Sequence, residues 1–407
     1  MTDKVKSIIR NYLFFQLSFT LLWWVPVFFI FQKDHGISES EIFKIQSIYY
    51  IVFSFLEIPT GWLSDKFGHR WAMAAASFFL FVSNLIPLIT VTYISFLLHF
   101  LIIALARSLA SGAASAYLYD YLDKNNLKDE YKRIEGKART FSLVGRMIVW
   151  PMVGPLMKIW VLFPYFLTSI NAIIGLVVSL KLPKFEIQNN PSNAFPSFSN
   201  IFLEIKNSPL LISFIFQGAG IFILQRILLV QIFQPVLIYQ KFSIESFGLL
   251  LGAITLIESI GSFNSNKLKR WISDENAIFI ICIGVSLCFF ILPILNQFIT
   301  IITLGFCCFL MGLAFPIQKK ILNDNIKNPQ YRASLLSFES LIDRLICSLA
   351  AYLIGIELSN GGGLPFILNT TAICSLIIVI LFYVLIHYQK QKIVIKSEHR
   401  EREVSLS

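Results

Sequence analysis

Several ionisable side chains fall within long apolar runs of this 407-residue sequence, where they can do chemistry that their neighbours cannot. A guanidinium group offers paired donors to a carboxylate or a phosphate. A carboxylate in apolar surroundings can take up and release a proton. The bases are Arg107, Arg146, Arg226 and Arg344, and the acids are Glu57, Glu258, Glu339 and Asp343. Because a charge in such a run is costly unless it faces partners or water, all of these are candidate functional residues.

Glu339 and Asp343 are the first candidates for proton exchange. They are four residues apart, which places them on one face of a helix. Two neighbouring carboxylates repel each other, so one of the pair should bind a proton readily. Glu57 is a third candidate. The sequence favours Glu339 or Asp343 over it and does not choose between those two.

Arg107 precedes a run of small residues at 108–116, SLASGAASA. Three roles fit this position. The guanidinium group can bind an anionic solute, or it can control the pKa of a nearby carboxylate. Alternatively, the small residues simply let two helices pack closely. The sequence leaves the three roles open.

These residues are predicted to lie on transmembrane helices. Hydrophobic residues make up 56% of the chain and charged residues only 14%. Apolar runs of about 20 residues, the length that crosses a hydrocarbon core, recur throughout. The predicted spans are 8–31, 42–62, 72–91, 94–122, 133–158, 162–181, 208–238, 245–265, 276–295, 298–320, 332–357 and 364–388. The predicted fold class is therefore an all-α membrane protein with twelve transmembrane helices.

Positive charge is distributed unevenly between the two sides of these spans. Most of the 34 Lys and Arg residues fall in the termini and in the loops on the same side as the termini. The opposite loops hold few, among them Lys33, Lys158 and Lys241. This asymmetry predicts a protein of the cell (inner) membrane with both termini in the cytoplasm. It also accounts for the net charge of +10 without a nucleic-acid partner, since the basic tail can meet anionic lipid headgroups.

The two halves of the sequence resemble each other. The stretch GWLSDKFGHRW at 61–71 aligns without a gap with GSFNSNKLKRW at 261–271. A Pro-, Asn- and Ser-rich segment at 183–207 separates the halves and has the composition of a linker. We therefore predict a six-helix bundle at 1–182, a cytoplasmic linker at 183–207, and a second bundle with a basic tail at 208–407. Two similar bundles are typical of proteins that expose a central site to each side of the membrane in turn.

The turn between spans 2 and 3 carries a sharper pattern, which resembles the signature loop of the major facilitator superfamily. Its residues are Gly61, Asp65, Lys66, Gly68 and Arg70. Glycine at 61 permits close helix approach, and glycine at 68 permits a tight turn. The resemblance implies that the aspartate acts as part of a cytoplasmic latch, to which an acid at the end of span 4 often belongs.

In this chain the span-4 acid of the implied latch is Asp120. The sequence departs from the family pattern at His69, where many members have arginine. The second half has Ser265 opposite Asp65, so only one latch of this kind is expected.

The same resemblance places span 2 beside span 11 and span 5 beside span 8. It implies that Glu57 pairs with Arg344 and that Glu258 pairs with Arg146, as gates between the halves. The alternative is that these charges form local ion pairs within one half. Arg107 with its Gly- and Ala-rich stretch also resembles a family motif linked to proton coupling, with the glycine one residue later than usual.

The predicted function is secondary active transport of a small solute by alternating access, coupled to protons. Buried arginines favour an anionic or zwitterionic metabolite or drug, and we predict export, with uptake as the alternative. A non-transporting membrane sensor on the same fold is a third possibility. The sequence shows no nucleophile–base constellation, no metal-ligand spacing and no ATP-binding glycine loop. We therefore expect neither an enzyme nor a bound cofactor, and we expect a monomer in the lipid bilayer.

Overall fold

The structure is a computed structural model that describes residues 2–184, 209–268, 271–294, 296–326 and 332–406. Every regular element within these ranges is a helix. The helices of the first half are α1 (Asp3–Thr20), α2 (Phe28–Asp34), α3 (Glu39–Phe67), α4 (His69–Ile89), α5 (Tyr93–Ala110), α6 (Ala113–Lys124), α7 (Tyr131–Ile159) and α8 (Phe163–Lys181). Those of the second half are α9 (Pro209–Arg226), α10 (Phe233–Tyr239), α11 (Ile244–Leu268), α12 (Asp274–Ile291), α13 (Gln297–Asn325), α14 (Arg332–Ser359) and α15 (Leu364–Leu406).

Each of the twelve predicted spans falls on one helix or on two consecutive helices, so the predicted all-α membrane fold is confirmed. Among the described residues, ten helical stretches are long and apolar enough to cross a membrane. Span 1, which is divided between α1 and α2, and α14 are not among those ten. The apolar runs therefore predict where helices lie but not where they are interrupted.

Three spans are interrupted within the apolar region. Span 1 is non-helical over 21–27, span 4 breaks between α5 and α6, and span 7 contains a π-helical stretch, Ile227–Ile232, between α9 and α10. Interrupted backbone at membrane depth is tolerated only where other groups satisfy it. In span 1, Asn171 donates to the carbonyl of Leu21 at 3.2 Å.

Local sequence explains where several helices begin and end. Ser38 and Glu41 form a capping box at the start of α3, and Thr92 caps α5 in the same way. Gly68 ends α3 and precedes α4 with a φ of +100°, which residues with a β-carbon rarely adopt. The tight turn expected at this glycine is therefore present.

The chain forms two compact units. Unit 1 comprises Met1–Asn189, Leu237–Ala253 and Cys347–Gly361, and unit 2 comprises Asn190–Val236, Ile254–Ile346 and Gly362–Ser407. The N-terminal part of α11 and the C-terminal part of α14 thus belong to unit 1, although both helices lie in the second half of the sequence. The linker predicted at 183–207 lies outside the described residues except for its first two, and the domain boundary there stays a prediction.

In unit 1, α7 and α11 approach each other through glycine. A Cβ added at Gly248 would overlap the backbone carbonyl of Trp150, and one added at Gly154 would overlap the backbone of Glu245. Lys158 Nζ lies 2.7 Å from Glu245 Oε1 beside this contact. The α3 and α14 helices also touch, since the Ser47 and Ser348 hydroxyls are 3.0 Å apart.

In unit 2, α11 and α13 make a similar glycine contact. A Cβ added at Gly261 would overlap the carbonyl of Phe309, and one added at Gly312 would overlap the carbonyl of Glu258. The α9 helix packs on both α13 and α15. The α9 and α13 helices carry two of the charged residues described below, Arg226 and Lys319.

Candidate functional site

Two ion pairs lie side by side on α14 in unit 2. Lys319 Nζ is 2.7 Å from Glu339 Oε2, and Arg226 Nε is 3.1 Å from Asp343 Oδ2. The two acids are one helical turn apart on a single face, as the sequence predicted. Their cationic partners come from two other helices, α13 and α9. The two ion pairs therefore connect three helices of unit 2.

Exposure differs sharply between the two members of each pair. The side chains of Glu339 and Asp343 are 1% and 5% exposed, whereas those of Lys319 and Arg226 are each 35% exposed. In each pair the carboxylate is buried and the cation is partly exposed, so the accessible groups are cationic. A surface of this kind can bind a carboxylate, a phosphate or another anionic group.

The surroundings of Glu339 are polar but incompletely bonded. Its Oε1 atom has no hydrogen-bond partner among the described residues, and the same holds for Oε1 of the fully buried Gln318. A Cβ added at Gly218 on α9 would lie 2.7 Å from both Gln318 Nε2 and Glu339 Oε1. The absence of a side chain at Gly218 therefore leaves space for the Glu339 carboxylate. A carboxylate with an open oxygen, buried among helices, is chemically suited to hold a proton.

Arg226 and Lys319 each lie close to a distinctive feature of their own helix. Arg226 is the last residue of α9 before the π-helical stretch, and such stretches commonly occur at functional sites. Lys319 follows Pro316 in α13, and its Nζ also lies 4.9 Å from the centre of the Phe222 ring. Sequence analysis missed Lys319 as a site residue, because it falls at the end of span 10 and counts there as a cytoplasmic charge. A lysine one residue inside a predicted span was the available signal.

The charged residues of unit 1 make separate contacts. Arg107 is exposed, and its Nη1 donates to the Tyr49 hydroxyl at 3.1 Å. Glu57 accepts a hydrogen bond from Ser111 at 2.8 Å. The Arg146 guanidinium lies 5.5 Å from the centre of the Trp150 ring. Arg107 and Glu57 therefore both connect α3 to the region where span 4 breaks.

The remaining predicted gate residues lie in unit 2. Glu258 on α11 accepts a hydrogen bond from Gln225 on α9, and Arg344 on α14 is buried. The predicted pairs Glu57 with Arg344 and Glu258 with Arg146 would join residues of different units, and they stay predictions.

The signature loop is only partly engaged within unit 1. Asp65 is exposed and makes no hydrogen bond or ion pair with any described residue. Lys66 lies over the Trp62 ring, 4.7 Å from its centre, and Arg70 donates to the carbonyl of Leu180. Neither base holds the aspartate. Open space surrounds the position of an added Cβ at Gly61, so the close helix approach expected there is not present among the described residues.

His69 occupies the position at which the sequence departs from the family pattern. Its Nδ1 is 2.9 Å from the Ser64 hydroxyl, and its Nε2 is 3.4 Å from Asp120 Oδ2. The histidine thus connects the end of α3 to α6. Asp120 thus contacts an imidazole rather than a guanidinium, and its part in a cytoplasmic latch stays a prediction.

A further carboxylate in unit 1 escaped the sequence analysis. Glu135 on α7 accepts hydrogen bonds from the hydroxyls of Tyr12 at 2.7 Å and Ser115 at 2.9 Å. No cation pairs with it among the residues described. Glu135 lies just inside the predicted span 133–158, which is the signal that identifies it as a candidate site residue. Four nearby Lys and Arg residues make this stretch resemble a loop instead.

Comparison with known proteins supports the fold. The family profile described as Major Facilitator Superfamily matches residues 11–351. No curated protein sequence matches the chain. A solved structure of a mutant of the nucleoside transporter NupG is similar over 94% of this chain and 99% of its own, with a TM-score of 0.78 and 15% identity.

Two other solved structures extend the comparison. A POT family transporter in complex with a thioalcohol-conjugated peptide has a TM-score of 0.70 at 12% identity, over 94% of this chain and 96% of its own. A D-xylose-proton symporter has a TM-score of 0.64 at 14% identity, over 92% and 96%. At these identities the likeness concerns the fold alone.

Proposed function

The chain belongs to the major facilitator superfamily of secondary transporters, and we propose that it moves a small anionic or zwitterionic solute together with protons. Alternating access of a central cavity is the mode of transport that we propose. One observation carries the proposal: two partly exposed cations in unit 2 are each paired with a buried acid on α14.

The Lys319–Glu339 pair supports a coupling step. While Glu339 is ionised, its carboxylate occupies the Lys319 ammonium group at 2.7 Å. A proton on Glu339 cancels that attraction and leaves a neutral acid, which is far less costly to bury than a charge. The ammonium group is then available to an anionic solute. The solute and the proton therefore favour each other's binding.

The Arg226–Asp343 pair supplies the second anchor. Arg226 pairs with Asp343, and a third of its side chain is exposed. We propose that its guanidinium group contacts a carboxylate or phosphate group of the solute. Arg107 in unit 1, exposed beside Tyr49, is proposed as a further contact for solute or as a control on coupling.

The direction of transport follows from this coupling. When a proton promotes binding of an anion, both cross the membrane in the same direction, which under an inward proton gradient means uptake. The D-xylose-proton symporter among the similar structures supports the same choice. We therefore place uptake ahead of the export that the sequence favoured. Export remains the second candidate, and it would require solute and proton to compete for Glu339.

The cytoplasmic latch is also proposed rather than observed. Asp65 is free to engage a partner in another conformation, since no described residue holds it in this one. The charge distribution supports cytoplasmic termini in the cell inner membrane, with the loop 61–71 on the cytoplasmic side.

A binding screen tests the proposed solute class. The purified full chain would be heated with acidic, zwitterionic and cationic metabolites, and the unfolding midpoint recorded for each. We expect stabilisation by members of the first two groups, weakened in Arg226→Gln, because ligands stabilise the state that binds them. Stabilisation by cationic metabolites alone would contradict the proposal.

A further inference from the structure

Span 4 changes direction at a single glycine. Between α5 and α6 lie only Ser111 and Gly112, and Gly112 has a φ of +80°. No atom lies within 4 Å of a Cβ added at Gly112, so close packing does not account for a glycine there. The backbone conformation does, because residues with a β-carbon rarely adopt it.

The equivalent glycine of the second half serves a different purpose. Gly312 aligns with Gly112 in the sequence repeat, yet it lies inside the unbroken helix α13. There it permits contact with the backbone of Glu258. The break is therefore a feature of the first half alone.

One serine lies in the break and another lies just after it, and each donates a hydrogen bond to a carboxylate on a different helix. Ser111 donates to Glu57 Oε1 on α3 at 2.8 Å, and Ser115 donates to Glu135 Oε1 on α7 at 2.9 Å. Each arm of span 4 is thus tied to a neighbour next to the break.

The second tie extends to the first helix. The other oxygen of Glu135 accepts the hydroxyl of Tyr12 at 2.7 Å, and Gln16 donates to that hydroxyl at 2.8 Å. Through one carboxylate, α6 is connected to both α1 and α7. Tyr12 is almost fully buried, so this connection lies inside unit 1.

The two arms carry different residues of the proposed mechanism. Arg107, beside Tyr49, lies on α5 four residues before Ser111. Asp120, beside His69, lies on α6 beyond the break. A bend at Gly112 would therefore change the orientation of the solute-facing arm relative to the arm that carries the cytoplasmic charge cluster.

We propose that Ser111–Gly112 is a hinge in span 4, and that Glu57 and Glu135 are positioning residues that hold its two arms. Rotation about Gly112 connects solute contact at Arg107 to movement of α6 and Asp120. The link to transport rests on the proposed function. The hinge and its two ties rest on the geometry alone.

Hydrogen–deuterium exchange of the full chain in lipid nanodiscs tests the ties. We expect Ser111→Ala and Ser115→Ala to speed amide exchange at 111–116 by about tenfold, because each removes a hydrogen bond that connects span 4 to a neighbouring helix. Ser108→Ala is the matched control, since among the described residues the Ser108 hydroxyl bonds only to the Leu105 carbonyl of its own helix. Ser115→Thr keeps the hydroxyl and should exchange as the wild type does. Exchange in both alanine variants equal to that of Ser108→Ala overturns the proposal.

Transport kinetics test the hinge's part in turnover. We expect Ser115→Ala to lower kcat by about tenfold with KM nearly unchanged, because the hinge moves helices without contacting solute. Ser115→Thr should restore kcat. Faster amide exchange with unchanged kcat would overturn the link between hinge and transport. The exchange experiment needs no solute, so failure of the proposed function would not be mistaken for failure of the hinge.

Discussion

The ammonium nitrogen of Lys319 lies 2.7 Å from Oε2 of Glu339, with the lysine a third exposed and the carboxylate almost fully buried. The pair therefore has an accessible cationic side and an inaccessible anionic side. A solute can reach the first, and only a proton needs to reach the second. The proposed coupling of anion and proton follows from that asymmetry.

Removing Lys319 should destabilise the protein, because the buried Glu339 carboxylate then has lost its partner. We expect Lys319→Ala to lower the free energy of unfolding by about 1–3 kcal/mol, since a buried charge loses its partner. Adding Glu339→Gln should recover most of that loss. Thermal unfolding of the two single variants and the double variant provides the measurement.

The neighbouring lysine is the control for this cycle. Lys320 pairs with Asp274 and is more exposed than Lys319, so Lys320→Ala should cost well under about 1 kcal/mol. Equal losses for the two lysine variants, or no recovery in the double variant, would contradict the description of Glu339 as a buried charge held by Lys319.

The contact between α7 and α11 should tolerate no added side-chain atom at Gly248. A Cβ there overlaps the Trp150 carbonyl, and backbone cannot move aside cheaply. We expect Gly248→Ala to lower the unfolding free energy by about 1–3 kcal/mol and to reduce transport. Unfolding midpoints and initial transport rates are the measurements.

The matched variant is Gly252→Ala, one turn further along α11. Its Cβ would lie 3.8 Å from the nearest atoms, which is ordinary contact. This variant should behave as the wild type does. If both alanine variants behave alike, the close approach at Gly248 is not what holds the two helices together.

Neutralising Asp65 tests the latch. We expect Asp65→Asn to reduce turnover by about tenfold, in the range of typical coupling energies, while the amount of folded protein in the membrane stays constant. Transport rate per unit of inserted protein is the measurement. Asp123→Asn, an exposed acid that pairs with Lys128 in the segment between α6 and α7, is the control. Wild-type turnover in Asp65→Asn would remove the latch role.

Much of the fold was predictable because hydrocarbon thickness imposes a length on apolar runs. The twelve predicted spans all fall on helices, and ten of the described helical stretches meet that constraint of length and apolarity. The interruptions do not, because they depend on tertiary contacts. Gly112 and Gly312 align in the repeat, yet one breaks a helix and the other packs inside one. Nothing in the local sequence distinguishes a glycine needed for its φ from a glycine needed for its small size.

The acids of the site were predictable from spacing, but their partners were not. The interval between Glu339 and Asp343 places both on one helix face whatever surrounds them. Their cations come from helices that are distant in sequence, at Arg226 and Lys319. Counting Lys and Arg residues by loop assigns Lys319 to the cytoplasmic side, because the predicted span ends at residue 320. In the structure α13 continues to Asn325, and Lys319 contacts the buried Glu339. Which way a terminal lysine points is a property of packing.

Proton movement driven by solute is the decisive measurement of coupling through the Lys319–Glu339 pair. The chain would be reconstituted into vesicles containing a pH-sensitive dye, with an anionic or zwitterionic solute that stabilises it added outside. We expect acidification of the lumen in the wild type and none in Glu339→Gln. Glu357→Gln, on the same helix and outside the ion pairs found among the described residues, should behave as the wild type does. Alkalinisation by the wild type, or acidification that persists in Glu339→Gln, would contradict coupling of solute and proton through the Lys319–Glu339 pair.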